Sequence, residues 1–247
     1  DEVEFRIIPD NQAALMSFMA GEVQMLPRLD AIQAEILRGR YNLISAEQNM
    51  VQLMAMNLAR EPFDDPKVRQ AINLAIDKEE IIEIVANGYG TVLGSNMSPI
   101  MERYYQEGLE DYYKTDIVAA RSLLAQAGYP EGFKTTITVP SNYQFHVDTA
   151  QVIVEQLKKV GITAEIELIE WSIWLDRVYT GRDYEMTIVG LTGKLSAYDI
   201  LKRYLSDYPR NFYNYFNPRY DELVNSAIKQ TDIDKKAGLF KQAQVLL

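Results

Sequence analysis

Residues 62–79 read Pro62-Phe63-Asp64-Asp65-Pro66-Lys67-Val68-Arg69-Gln70-Ala71-Ile72-Asn73-Leu74-Ala75-Ile76-Asp77-Lys78-Glu79. Asp65 is placed to cap a helix, and Pro66 falls at the first helical position, where a missing N–H costs nothing. Val68, Ile72 and Ala75 then share one buried stripe. Asp77 caps a second helix whose apolar side carries Ile81, Ile82 and Val85 until Gly88 stops it. Outward toward the N terminus, strand and helix alternate. Strands are expected at 3–8, 22–26, 41–45 and 51–57, with helices at 10–20, capped by Asp10 or Asn11, and at 30–38, stopped by Gly39. Outward toward the C terminus, residues 88–116 carry no strong period and read as a long surface loop, after which Asp116 caps a helix at 117–127. A β-branched strand at 135–139, a helix at 146–159, a strand at 162–169, a helix from Trp171 to about Tyr179 and a strand at 184–189 follow. Two or three helices finish the sequence, and the class is α/β.

Composition narrows the function classes. The 247 residues are 47% hydrophobic and 24% charged, enough for a sizeable core in one large or two small domains. Lys and Arg number 25 against 35 Asp and Glu, and the net charge of −10 repels a phosphate backbone, so nucleic acid is set aside as a partner. With no cysteine and one histidine, the usual structural zinc sets cannot be assembled. No apolar run approaches the roughly 20 residues that span a bilayer, and no basic-then-apolar export segment opens the sequence. The first residue is Asp1, and the last helix runs to Leu247 without a Gly, Asn or Pro stop. The expectation is a cut piece of a longer chain whose targeting segment lies elsewhere.

Few motifs carry chemistry by themselves. Gly88-Tyr89-Gly90-Thr91-Val92-Leu93-Gly94 is one residue too long for a dinucleotide fingerprint and follows a helix, where a phosphate loop needs a strand. Phosphate-loop, nucleophile-elbow and zinc-protease motifs are all missing, and no cofactor is expected. The pairs Asp64-Asp65, Glu79-Glu80 and Glu110-Asp111 point apart and read as helix caps or solvated faces rather than acid–base couples. His146 sits where a loop meets a helix, from which its ring can reach a cleft, donate to a ligand carboxylate or cap its own helix. Trp171 and Trp174 lie on neighbouring parts of one helical face, either in a core or lining a ligand cleft.

The 62–79 stretch resembles the signature segment of the dipeptide/oligopeptide class (family 5) of extracellular solute-binding proteins of ABC transporters. Four further pieces stand in that family's order. They are Phe18-Met19-Ala20-Gly21-Glu22-Val23, Ala119-Ala120-Arg121-Ser122-Leu123-Leu124-Ala125-Gln126-Ala127-Gly128-Tyr129, Gln156-Leu157-Lys158-Lys159-Val160-Gly161-Ile162, and Glu170-Trp171 followed by Gly181-Arg182-Asp183-Tyr184. The resemblance covers nearly the whole chain and implies a periplasmic-binding-protein-like type II fold, in which two α/β lobes close on a ligand. Members are substantially longer, so this chain is similar to their later half. Residues 1–50 are then part of the first lobe, 51–57 crosses near the hinge, and 51–247 is the second lobe, truncated at its C-terminal end. The implied function is capture of a peptide or related small solute by a monomer and delivery to ABC permease subunits, in the periplasm or anchored at the cell surface, without catalysis. A single lobe offers half the contacts, so weak or no solute binding by this stretch alone is expected. The alternatives are an oligosaccharide-binding member of the same family, a hydrolytic domain working through scattered carboxylates, and a surface signalling or adhesion module exposing a large apolar patch.

The resemblance also implies a site. In peptide-binding members an aspartate on the loop after the Gly-x-Tyr-type strand pairs with the ligand's α-amino group. Here that loop reads Gly190-Leu191-Thr192-Gly193-Lys194-Leu195-Ser196-Ala197-Tyr198-Asp199, and the nearest ungapped match is Lys194, whose ammonium repels a ligand amine. Either Asp199 serves instead, or the ligand is not a free-amine peptide, and Lys194 suits an anionic or hydroxyl-rich solute. The arginine expected shortly before the loop is missing from Met186-Thr187-Ile188-Val189. His146 matches a histidine that some oligopeptide binders turn toward a ligand carboxylate. Asn57 falls on a strand whose backbone pairs with extended ligands, and Trp171 resembles a framework position. The implied ligand-binding set is Asn57, His146, Leu191, Thr192, Lys194 and Asp199.

Overall fold

A β-branched run, Lys134–Pro140, lies inside a four-stranded sheet in the computed structural model, which describes residues 2–247. The strands are β1 (Met50–Met56), β2 (Lys134–Pro140), β3 (Thr163–Ile169) and β4 (Met186–Thr192), ordered β1-β4-β2-β3. β2 runs parallel to β3, with Ile137 opposite Ile166, and parallel to β4, with Ile137 opposite Met186. β1 runs antiparallel to β4, pairing Met50 with Thr192 and Met56 with Met186.

Side chains alternate between two cores, as the two-residue period of a strand requires. On β4, Met186 and Ile188 enter one core with Ile137, Val139, Phe63, Val68, Ile72 and Leu157, while Val189 and Leu191 face the other with Trp174, Phe212, Tyr220 and Phe240. β1 divides the same way, Met54 and Met56 to the first core and Ala55 and Leu53 to the second. The first core is roofed by α3 (Pro66–Ala75), α5 (Ile117–Gln126) and the β2–β3 crossover α6 (Gln144–Lys158), and α4 (Lys78–Ala86) packs on α6. The second is closed by α8 (Ala197–Leu201), α9 (Pro218–Ala227) and α10 (Ile233–Gln244).

The helices start where local chemistry dictates. Asp65, Asp77 and Asp116 each accept a backbone N–H in the first turn of their helices, with Pro66 at the first position of α3. Asp10 caps α1 (Asn11–Met19), and Asp30 forms a capping box with Gln33 on α2 (Ala31–Leu37). Residues 88–116 form a loop interrupted by a single short turn of helix at Pro99–Met101. The turns into β2 and β3 meet at glycines: a Cβ on Gly132, whose φ is +77°, would lie 2.1 Å from the Gly161 carbonyl oxygen.

Three expected strands do not form. Residues 3–8, 22–26 and 41–45 pair with no strand, and Val3, Phe5 and Ile7 are 75%, 89% and 92% exposed. Alternation creates a strand only beside another strand, and residues 2–49 contribute none to the sheet. The helix after Glu170 also departs from expectation. A single α turn, α7 (Trp171–Ile173), widens into a π-helical segment, Trp174–Thr180.

Candidate functional site

In open α/β sheets the usable crevice lies beyond the carboxyl ends of the parallel strands, where loops diverge. Here β2, β3 and β4 end at Pro140, Ile169 and Thr192, and the antiparallel β1 begins at the same edge at Met50. Residues 2–49 therefore join the sheet at the site end.

The loops there build an aromatic wall. Asn142 Oδ1 accepts the Trp171 N–H at 3.0 Å, and Glu170 caps α7 by accepting the Ser172 N–H at 2.7 Å. Trp171 so held stacks on Trp174, centroids 5.1 Å and planes 5° apart, and Tyr143 meets Trp171 edge-on at 5.3 Å. Trp174 is 2% exposed, and its Nε1–H donates to Thr187 Oγ1 at 2.9 Å, satisfying the one donor of the indole inside the core. The π-helical turn accounts for the next layer. Its five-residue hydrogen-bond spacing brings Tyr179 under Trp174, centroids 6.0 Å apart. With Leu191, Arg203, Arg210 and Phe212 these rings line a pocket of about 240 Å³. A larger hollow of about 810 Å³ runs along β1 between α3, α4 and the end of α10, beside the sheet rather than at its strand ends.

Leu191 is a wall of the strand-end pocket, and Thr192 offers its carbonyl to Arg203 Nη2 at 3.0 Å. Lys194 is exposed, and its ammonium has no carboxylate partner among the described residues; its carbonyl accepts from Asn49 Nδ2 at 3.2 Å. Asp199 sits in the first turn of α8, paired with Lys202 at 2.5 Å. The loop is fastened to the incoming chain at Gly193, whose N–H donates to the Asn49 carbonyl at 2.5 Å. A Cβ there would lie 2.4 Å from the Asn49 carbonyl oxygen, so only glycine fits.

Two of the expected contact residues are engaged in internal hydrogen bonds. His146 is 6% exposed and reaches neither solvent nor its own helix end; its Nε2 accepts the Gly190 N–H at 3.0 Å. The neutral ring therefore carries its proton on Nδ1, which faces the Gln52 carboxamide at 2.8 Å, and the amide orientation that satisfies it presents the oxygen. Burial pushes the imidazole pKa down to about 4, with no carboxylate near enough to oppose it. Asn57, 1% exposed, lies at the opposite end of β1 from the pocket. Its Nδ2 donates to the Arg182 and Tyr184 carbonyls, both at 2.9 Å, and its Oδ1 accepts from Ala59 N–H and Asn214 Nδ2. Its backbone N–H donates to the Glu185 carbonyl, so no part of this residue faces the strand-end pocket.

The acidic pairs serve structure: Asp65 caps α3, Glu79 and Glu80 lie in the first turn of α4, and Glu110 accepts from Gly108 N–H and Tyr105 Oη. Among the described residues no three His, Asp or Glu converge on a metal-sized site, and no helix is long and apolar enough to cross a membrane. Sequence reasoning missed Arg203, Arg210, Tyr179 and Phe212, which come from separate segments with no shared motif.

A family model described as bacterial extracellular solute-binding proteins, family 5 middle, matches residues 1–212. The glutathione-binding protein GsiB of Shigella flexneri is 28% identical over 259 aligned residues, which take in 100% of this chain and 50% of GsiB. The heme-binding protein A of Haemophilus influenzae is 30% identical, with 100% of this chain and 46% of that protein covered. The chain thus spans about half the length of the curated relatives it matches. The periplasmic binding protein DppA of Helicobacter pylori, solved with the peptide STSA, superposes with a TM-score of 0.86 at 27% identity, over 98% of this chain and 48% of that one.

Proposed function

The chain belongs to the bacterial extracellular solute-binding proteins of family 5, and from that premise we propose that it forms part of a two-lobed receptor that holds a small solute and passes it to an ABC permease. Residues 51–247 are most of the second lobe and residues 1–50 a short part of the first. The receptor works as a monomer in the periplasm or anchored at the cell surface, and the solute leaves chemically unchanged. The observation that carries this reading is the aromatic pocket at the strand ends, flanked by Leu191, Thr192 and Lys194 and by the point where residues 2–49 join the sheet. A solute that extends from this pocket to the other lobe favours the closed arrangement by its greater affinity for it.

Peptides or peptide-like compounds are the first solute class to test, since a relative carries the name glutathione-binding and DppA was solved with a peptide. An oligosaccharide is the second reading. It is favoured by the half-buried Trp171 indole, whose face suits a sugar ring, and by Lys194, which disfavours a free ligand amine. A thermal-shift screen of the full-length two-lobed protein against short peptides and oligosaccharides, with bound material identified by mass spectrometry, tests both. A true solute raises Tm progressively with concentration and is recovered intact. If no solute in either class raises Tm, or if the recovered material is cleaved, the reading fails.

A further inference from the structure

The strand-end pocket has one sign of charge. Arg203 and Arg210 both line it and no Asp or Glu does, on a chain whose net charge is −10. Neither guanidinium has a carboxylate within ion-pair distance among the described residues. Arg203 is fixed by donating Nη2 to the Thr192 carbonyl at 3.0 Å, which occupies one of its five donors and holds the planar fork at the pocket. Arg210 makes no hydrogen bond within the described residues and is exposed. The rest of the lining is mainly apolar: the aromatic rings of Trp171, Trp174, Tyr179 and Phe212, with Leu175, Val189 and Leu191 beside them.

We propose that this pocket is an anion-selecting subsite that takes a planar, carboxylate-bearing group of the solute, its flat face against Trp171 and its carboxylate toward Arg203 and Arg210. This rests on the solute-binding reading above and names the chemical class that it left open. Two features of the geometry support the assignment. A guanidinium fork matches the two oxygens of a carboxylate, and two of them beside an apolar wall favour an anion over its neutral isostere. The pocket's volume of about 240 Å³ also falls below the roughly 300–1,000 Å³ of sites that enclose a whole drug-sized ligand, so it accommodates a single group. Lys194, exposed on the same loop, adds a third positive charge outside the pocket.

Both tryptophans of the protein line this pocket, so indole fluorescence reports its occupancy without a label. The protein is titrated with phenylacetate and, separately, with phenylacetamide, the neutral analogue of the same shape, at low salt and through the millimolar range expected of a fragment. Phenylacetate is expected to change indole emission and to bind at least fivefold tighter than the amide. That preference should fall toward unity in Arg210→Gln, whose side chain holds nothing else in place, and in the double variant Arg210→Gln with Arg203→Lys. Equal affinity for acid and amide overturns the proposal, as does a preference that survives both variants or silent indoles with both probes. A solute from the thermal-shift screen that raises Tm without touching indole emission also overturns this subsite while leaving solute binding intact. A screen in which nothing raises Tm defeats the broader reading whatever the probes do.

Discussion

The buried His146 predicts a specific loss of stability on mild acidification. Its ring accepts the Gly190 N–H in a site where burial pushes its pKa down from the ordinary 6.5 to about 4. Protonating Nε2 would set a donor against a donor. Between pH 6.5 and 4 the unfolded chain takes up the proton more readily than the folded one, so stability that is complete above pH 6.5 drains away as pH falls through that window. From the two pKa values, lowering pH from about 7.5 to about 5.0 costs about 2 kcal/mol, and the limit well below pH 4 is about 3 kcal/mol. His146→Gln keeps an acceptor and a donor but does not titrate, so urea unfolding at the two pH values should show the wild type losing about 2 kcal/mol more than the variant. Because the chain has one histidine, its ring resonances can be followed directly by NMR. A ring that titrates near 6.5, or equal losses in both proteins, would refute the reasoning.

Asn57→Ala should destabilise by about 3 kcal/mol in denaturant melts, because it strands the Arg182 and Tyr184 carbonyls and the Asn214 amide in or near the core. Thr187→Val leaves the Trp174 indole N–H without an acceptor and should cost about 1–2 kcal/mol, whereas adding Trp174→Phe should cost less than the sum of the two single changes, as a double-mutant cycle will show. Gly132→Ala drives a methyl group into the Gly161 carbonyl at a positive φ, and a loss of about 2–3 kcal/mol with an unchanged m-value is expected. Asp234→Asn breaks an ion pair with Arg103 whose carboxylate is 90% exposed, so urea melts should move by less than about 0.5 kcal/mol.

The helix starts were legible in the sequence because a cap is a local bond: Asp10, Asp65, Asp77 and Asp116 each reach an amide two or three residues on. Strands were legible only where a neighbour exists. Residues 134–140 and 3–8 both carry strand-like patterns, yet the first finds partners on both sides and the second none. The family resemblance located the loop at Leu191, Thr192 and Lys194, but pattern alone cannot say that a polar side chain is spent internally. His146 and Asn57 look available in one dimension and are committed to Gly190 and to the Arg182 and Tyr184 carbonyls in three. The pocket's arginines were invisible for the opposite reason. They lie seven residues apart in sequence on an irregular segment, and they meet Trp171 only because the π-helical turn and the α8 region fold against the same strand ends.

The knot between Asn49 and Gly193 has a mechanical corollary. With no side chain at Gly193 to serve as a cushion, a displacement of Asn49 is passed directly to the rim formed by Leu191 and Lys194.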